Sequence, residues 1–215
     1  MRRQLLGLVV TIVTASAPLS ARAAAKDGAF SIRGAGLLSC AYYVQERAKR
    51  SSAYYMIGGW IDGYITAINQ YVPDTYDVTS FESTELFTEM IQNHCADNPE
   101  HRLFSVMNTL VMRIKDDRLR SGSPFVKVEI GERRADVYRE TLRRAQDELR
   151  RRGFYSGDSS GDFNDKTREG IASFQKSIDF VGTGFPDQTT LWRLLRREPE
   201  TKDAPSKQPD ARDSR

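Results

Sequence analysis

Gly161-Asp162-Phe163-Asn164-Asp165-Lys166-Thr167 decides how the chain is read. A glycine-bearing loop there runs straight into Ile171, Phe174 and Ile178, whose spacing predicts a helix with one apolar face. Gly182-Thr183-Gly184 marks the next turn, and a third short helix is expected over Thr189 to Leu195. Upstream, Asp136 to Arg152 predicts another helix, with Val137, Tyr138, Leu142, Ala145 and Leu149 as its apolar stripe. Gly153 is its expected terminator. Arg143, Arg144, Arg150, Arg151 and Arg152 on this helix interleave with Asp136, Glu140, Asp147 and Glu148. That alternation describes a solvated face better than a nucleic-acid or lipid surface.

Working outward, Leu142-x-x-Ala145-Gln146-x-x-Leu149 precedes Gly153-Phe154-Tyr155-x-Gly157. Gly161-x-Phe163, Thr167, Phe174-Gln175, Thr183-Gly184 and Thr189-Thr190-Leu191 with Leu194 follow in turn. Residues 136–197 thereby resemble the widespread bacterial peptidoglycan-binding domain, with every spacing met. The resemblance implies a three-helix module that binds cell wall. Two positions depart from that pattern: Ser160 stands where an acid usually precedes the loop glycine, and Asp179 where a glycine usually follows the Phe-Gln helix. Aspartate tolerates left-handed backbone better than most residues, so the fold is expected to survive.

Most motif letters have structural roles open to them. Phe163 and Phe174 are expected to fill a small core, and Thr167 to satisfy backbone at a helix start. Gln146 and Gln175 are expected to brace loop backbone with their amides, and Gly153, Gly161 and Gly184 to make the turns. Ligand contact is then expected on exposed groups beside the glycine loops: Tyr155, Asp158, Asp162 and Gln188.

Ahead of this module, Ser121-Gly122-Ser123-Pro124 breaks the chain, and Phe125 to Ile130 alternates apolar and charged residues as one short strand would. Residues 121–135 are read as the joint. Residues 24–120 read as a helical domain. Gly36 to Tyr43 opens one helix, Tyr54 to Tyr71 forms a second that Val72-Pro73 ends, and Ser80 or Ser83 caps a third bearing Leu86, Met90 and Ile91. Leu103, Val106, Leu110 and Ile114 mark a fourth. Gly59 and Gly63, four apart, are expected to admit tight packing of another helix. Asp62 is expected at a helix surface or accepting a hydrogen bond. The fold class is thus mainly α, two small helical domains with one short strand between them.

This half is similar to small helical periplasmic proteins with one disulfide, the acid-stress chaperones and the immunity proteins of type VI secretion. The resemblance rests on Leu37-Leu38-Ser39-Cys40, Ile57 to Tyr64, and Cys95 to Glu100. No activity is carried across from it.

Arg2 and Arg3, the apolar run Leu5 to Val13, and Ala21-Arg22-Ala23 read as a secretory leader over residues 1–23. The formal charge is +3, but removing Arg2, Arg3 and Arg22 and no acid leaves 29 basic against 29 acidic residues. Strong attraction to nucleic acid or anionic membrane loses its support, and no membrane span is expected after the leader. Cys40 and Cys95, the two cysteines, are expected to pair in an oxidising compartment. From Glu198 the chain is Pro, Lys, Asp, Ser and Arg without apolar period, so 198–215 reads as a disordered tail.

These observations point to an exported, wall-associated, non-catalytic protein with no cofactor and no metal site. Its expected partners are peptidoglycan and, through the helical domain, another periplasmic protein. The alternatives are an adaptor or chaperone-like protein, or a wall hydrolase. Against the last, there are two histidines, His94 and His101, and no Ser-His-Gly-Cys loop. The carboxylate pair Glu82 and Glu85 suits glycoside cleavage, but equally the first turn of a helix.

Overall fold

The computed structural model describes residue 25 and residues 27–196. The expected leader and tail lie outside the described residues. Of the described residues, those up to Ser31 belong to one unit and residues 32–196 to a second, compact one.

Within the second unit, four helices come first: α1 (Cys40–Lys49), α2 (Ser52–Tyr71), α3 (Thr84–Asp97) and α4 (Leu103–Ile114). Serine starts three of them. The hydroxyls of Ser39, Ser51 and Ser83 accept the backbone N–H groups of Tyr42, Tyr54 and Leu86, each cap contributing about 1 kcal/mol. Pro73 stops α2 as the sequence requires, leaving Val72 extended at ψ 120°. Tyr43, Ile57, Ile61, Phe87, Ile91, Leu103, Met107 and Ile114 meet in a buried cluster. Cys40 and Cys95 are disulfide-bonded, tying α1 to α3 across 55 residues with Cα atoms 4.8 Å apart. Tyr43 is wholly buried and donates its hydroxyl to the Thr88 carbonyl (2.5 Å); burial pushes its pKa well above the usual tyrosine range.

Gly59 and Gly63 do not admit another helix. A Cβ built at either meets nothing within 4 Å, so their face of α2 is open. Small side chains thin a surface, and here the space was left unfilled. Asp62 between them is exposed and accepts a hydrogen bond from Thr84, as expected.

The joint holds a hairpin. β1 (Phe125–Ile130) pairs antiparallel with β2 (Arg133–Tyr138), Phe125 opposite Tyr138 and Val128 opposite Ala135. The turn is Gly131-Glu132, with Gly131 at φ +58°. The expected strand therefore has a partner, and the next helix, α5 (Arg139–Arg151), starts at Arg139 instead of Asp136. Val137 and Tyr138 fit the apolar stripe of α5 in spacing, yet pairing with β1 satisfies their backbone. Val137 then packs with Val128, Leu142 and Phe185 in a small cluster of its own. Tyr138 provides no side-chain cap for α5. Its first N–H groups go upstream instead: Arg139 N–H to the Pro124 carbonyl (2.9 Å) and Glu140 N–H to Ser123 Oγ (3.0 Å).

α6 (Asp165–Ser177) and α7 (Gln188–Leu195) complete the three-helix module. Its core is Ala145, Leu149, Ile171, Phe174, Leu191 and Leu194, with Phe163 packed at the edge. Asp179, where a glycine was expected by resemblance, adopts φ +62°. The module is stitched to the preceding helices. Arg196 is buried, donates from Nε to Glu82 (2.8 Å) and from Nη1 to Asp117 (2.6 Å), and lies over the Phe81 and Trp192 rings. Thr141 donates to the Ser80 carbonyl (2.7 Å). Among the described residues, no helix is long and apolar enough to cross a membrane.

Candidate functional site

Two loops shape the module's surface, and each is built by the same device. In the first, Gln146 is fully buried on α5. Its Nε2 donates to the Asp162 carbonyl and to Thr167 Oγ1, both at 2.8 Å, and its Oε1 accepts the Gly161 N–H (2.8 Å). Asn164 caps α6 by accepting the Thr167 N–H (3.0 Å). In the second, Gln175 on α6 donates to the Phe185 carbonyl and to Thr190 Oγ1, both at 3.0 Å, and accepts the Gly184 N–H (2.8 Å). Asp187 caps α7 by accepting the Thr190 N–H (2.8 Å).

In both loops the cap lies three residues past the glycine and the threonine six past it. In both, the glycine leans on the carbonyl seven residues before the glutamine. A Cβ at Gly161 (φ +77°) would overlap the Arg139 carbonyl oxygen, and one at Gly184 (φ +71°) would lie 2.7 Å from that of Arg168. The left-handed backbone and the close approach each require glycine. Gln146, Gly161, Thr167, Gln175 and Gly184 thus hold the loops. Phe174 is buried in the core, and Gly153 ends α5 at φ +81° in open space. The sequence disguises the repetition because the glutamine lies fifteen residues before the glycine in the first loop and nine in the second; the constant glycine-to-threonine distance is the signal that marks it.

The four residues expected to face a ligand are placed unequally. Tyr155 is not exposed: at 7% accessibility it belongs to the module core, and its hydroxyl donates to the Asp158 carbonyl (2.9 Å). The ring fills the space beside Gly170, where a side chain is absent. Gln188 is half-buried and turned away from solvent, its Oε1 accepting the Ser83 N–H (3.0 Å) and its Nε2 donating to Ser83 Oγ (2.8 Å). It therefore joins α7 to the cap of α3. Asp158 and Asp162 are exposed, and Asp162 pairs with Arg139 at 2.6 Å. The structure does not bring these four residues to one surface.

Beside Gln188 lies a cleft of about 430 Å³ that sequence reasoning missed, lined by the outer edge of β2, the loop 79–83 and Phe185 to Gln188. Its walls come from four separate parts of the chain, Phe125 of β1 included, so no local motif marks it. Tyr138 sits at one end, donating to Asp77 Oδ2 (3.0 Å); burial, and then the Asp77 carboxylate, push its pKa well above the usual tyrosine range. Beyond Arg139, the arginines of α5 are taken up by acids one turn away. Arg143 holds Glu140, and Arg151 holds Glu148, below the usual carboxylate range.

The carboxylates considered for glycoside cleavage are separated in role: Glu82 is buried on Arg196, while Glu85 is exposed in the first turn of α3. His94 and His101 touch, Nε2 to Nδ1 at 2.9 Å. Among the described residues no three His, Cys, Asp or Glu side chains converge as metal ligands.

Residues 138–194, about a quarter of the chain, match the family model of the peptidoglycan binding domain. The chain matches no curated protein and no solved structure.

Proposed function

We propose that the chain is an exported, non-catalytic cell-wall protein whose C-terminal module binds peptidoglycan and so places the disulfide-bonded helical domain at the wall. The single observation that carries this is the family match over 138–194, which supports peptidoglycan binding and cell-wall association. The organisation proposed is a leader over 1–23, a helical domain over 24–120, a joint over 121–135, a module over 136–197 and a tail over 198–215. Periplasmic address rests on the leader-like start and on the disulfide, which is suited to an oxidising compartment. Glycan contact is proposed for the exposed side of the first loop, with Asp158 and Asp162 offering carboxylates to sugar hydroxyls. Tyr155 and Gln188 would act from behind, one holding that loop and the other the cleft. The helical domain would meet another periplasmic protein.

Purified protein mixed with insoluble sacculi and sedimented tests the proposal. Co-sedimentation without release of soluble muropeptides is expected. Protein wholly in the supernatant overturns wall binding, and muropeptide release in proportion to added protein overturns the non-catalytic part.

A further inference from the structure

The open face of α2 belongs to a second cleft, of about 520 Å³, lined by residues of α1, α2 and α3. That volume lies within the range of about 300–1,000 Å³ typical of small-ligand sites. Gly58 and Gly59 make its floor; a Cβ at Gly59 meets nothing, and one at Gly58 comes only within 3.9 Å of Thr84. Tyr54 and Tyr55 form one wall, their ring centroids 5.4 Å apart, with Tyr55 largely exposed. Arg47 and Arg50, at the end of α1, stand at the α2 N-terminus. Asp62 and Glu85 stand at the other end, where α3 begins.

Three observations single this cleft out. First, its charge is segregated, two cations at one end and two acids at the other. Second, none of the four forms an ion pair among the described residues, whereas Arg143, Arg144, Arg150 and Arg151 of α5 are paired with acids of the same helix. The Nε of Arg47 is buried without a hydrogen-bond partner. Third, Arg50 holds a left-handed backbone at φ +47°, which a non-glycine residue adopts at a cost. Arg50 ends α1 there and lines the cleft, at a position where glycine would be the easier residue.

We infer that this cleft binds a short peptide with free ends, its carboxylate held by Arg47 and Arg50 and its ammonium group by Asp62 and Glu85. The positive end of the α2 dipole adds to the carboxylate side. The tyrosine wall would cover its side chains.

The test is titration of the isotope-labelled full chain with alanine tripeptide, followed by amide NMR. Shifts at Tyr55, Gly59 and Glu85, saturating with a Kd near or below about 1 mM, are expected. Peptide acetylated and amidated at its ends should bind at least about tenfold more weakly. Arg50→Gly, which eases the backbone while removing the cation, and Glu85→Gln, at an exposed position, should each weaken binding to a similar degree with unchanged melting behaviour. Stem peptides cut from sacculi form a separate arm, and tighter binding of one probe or the other names the source. No shifts with either probe up to about 10 mM overturns the proposal, as does equal binding of the blocked peptide. Sedimentation of Arg50→Gly with sacculi, expected unchanged, keeps failure here distinct from failure of wall binding.

Discussion

Replacing Gln146 with leucine preserves the side chain's bulk and removes all three of its hydrogen bonds. The groups left behind do not suffer equally. Thr167 Oγ1 keeps Asn164 within 3.1 Å, and the Asp162 carbonyl keeps Thr167 at 3.3 Å. The Gly161 N–H has no second acceptor among the described residues, and as a buried donor it bears the full desolvation penalty. Two lost bonds at about 1 kcal/mol each, with an orphaned donor worth about 1–3 kcal/mol and some return from the apolar side chain, give a loss of about 3 kcal/mol. For a chain of this size that lowers Tm by about 6–12 °C. Urea denaturation of the Gln146→Leu protein measures the loss. Hydrogen exchange at the Gly161 amide tests its cause, because that amide should be protected in the parent and exposed in the variant. A loss under about 1 kcal/mol, or unchanged Gly161 protection, would refute the brace as the source of loop stability.

Glycine positions should sort by surroundings: Gly161→Ala, which drives Cβ into a backbone carbonyl, should cost over about 3 kcal/mol, and Gly153→Ala, with the same sign of φ in open space, about 1 kcal/mol, both read from denaturant midpoints. Removing one partner of the buried Arg196–Glu82 pair by Glu82→Gln should cost about 3–5 kcal/mol, while Glu82→Met with Arg196→Met should recover most of it; equal losses in single and double variants would show that the charge is not the issue. Serine at both Cys40 and Cys95 should lower stability by about 4 kcal/mol, the loop-closure value for a 55-residue separation, and reductant should produce the same loss in the parent. The depressed carboxyls of Glu140 and Glu148 contribute stability that is complete above the unfolded value of about 4.3 and fades as pH falls through the lower folded values. Glu148→Gln should therefore flatten the acid limb of a stability–pH curve by about 0.5 kcal/mol and leave the alkaline limb unchanged.

Local signals were readable where a helix satisfies itself. The Leu103, Val106, Leu110 and Ile114 spacing gave α4, all four side chains being buried, and Val72-Pro73 gave the end of α2. The roles of Gln146 and Gln175 were also legible, since a lone amide flanked by core residues has few other uses. What failed was whatever depended on a distant partner. β2 was hidden because Val137 and Tyr138 continue the stripe of Leu142, and only β1 shows that their backbone is taken. Gly59 and Gly63 say how close a neighbour could come and nothing about whether one arrives. Tyr155 and Gln188 were read as surface groups because both sit beside glycine loops. Their burial comes from Gly170, which leaves room for a ring, and from Ser83, more than a hundred residues away in the chain.

The Arg196–Glu82 contact, together with Gln188 on Ser83, changes what kind of anchor the module can be. A domain on a loose leash samples a hemisphere around its attachment and meets partners at a diluted local concentration. Here the last helix is fastened to the start of α3, so the two parts turn together and pulling on one is felt by the other. A module seated on a surface would hand its heading to the helices, and the mouth between Arg50 and Glu85 would face a set direction rather than sweep through many.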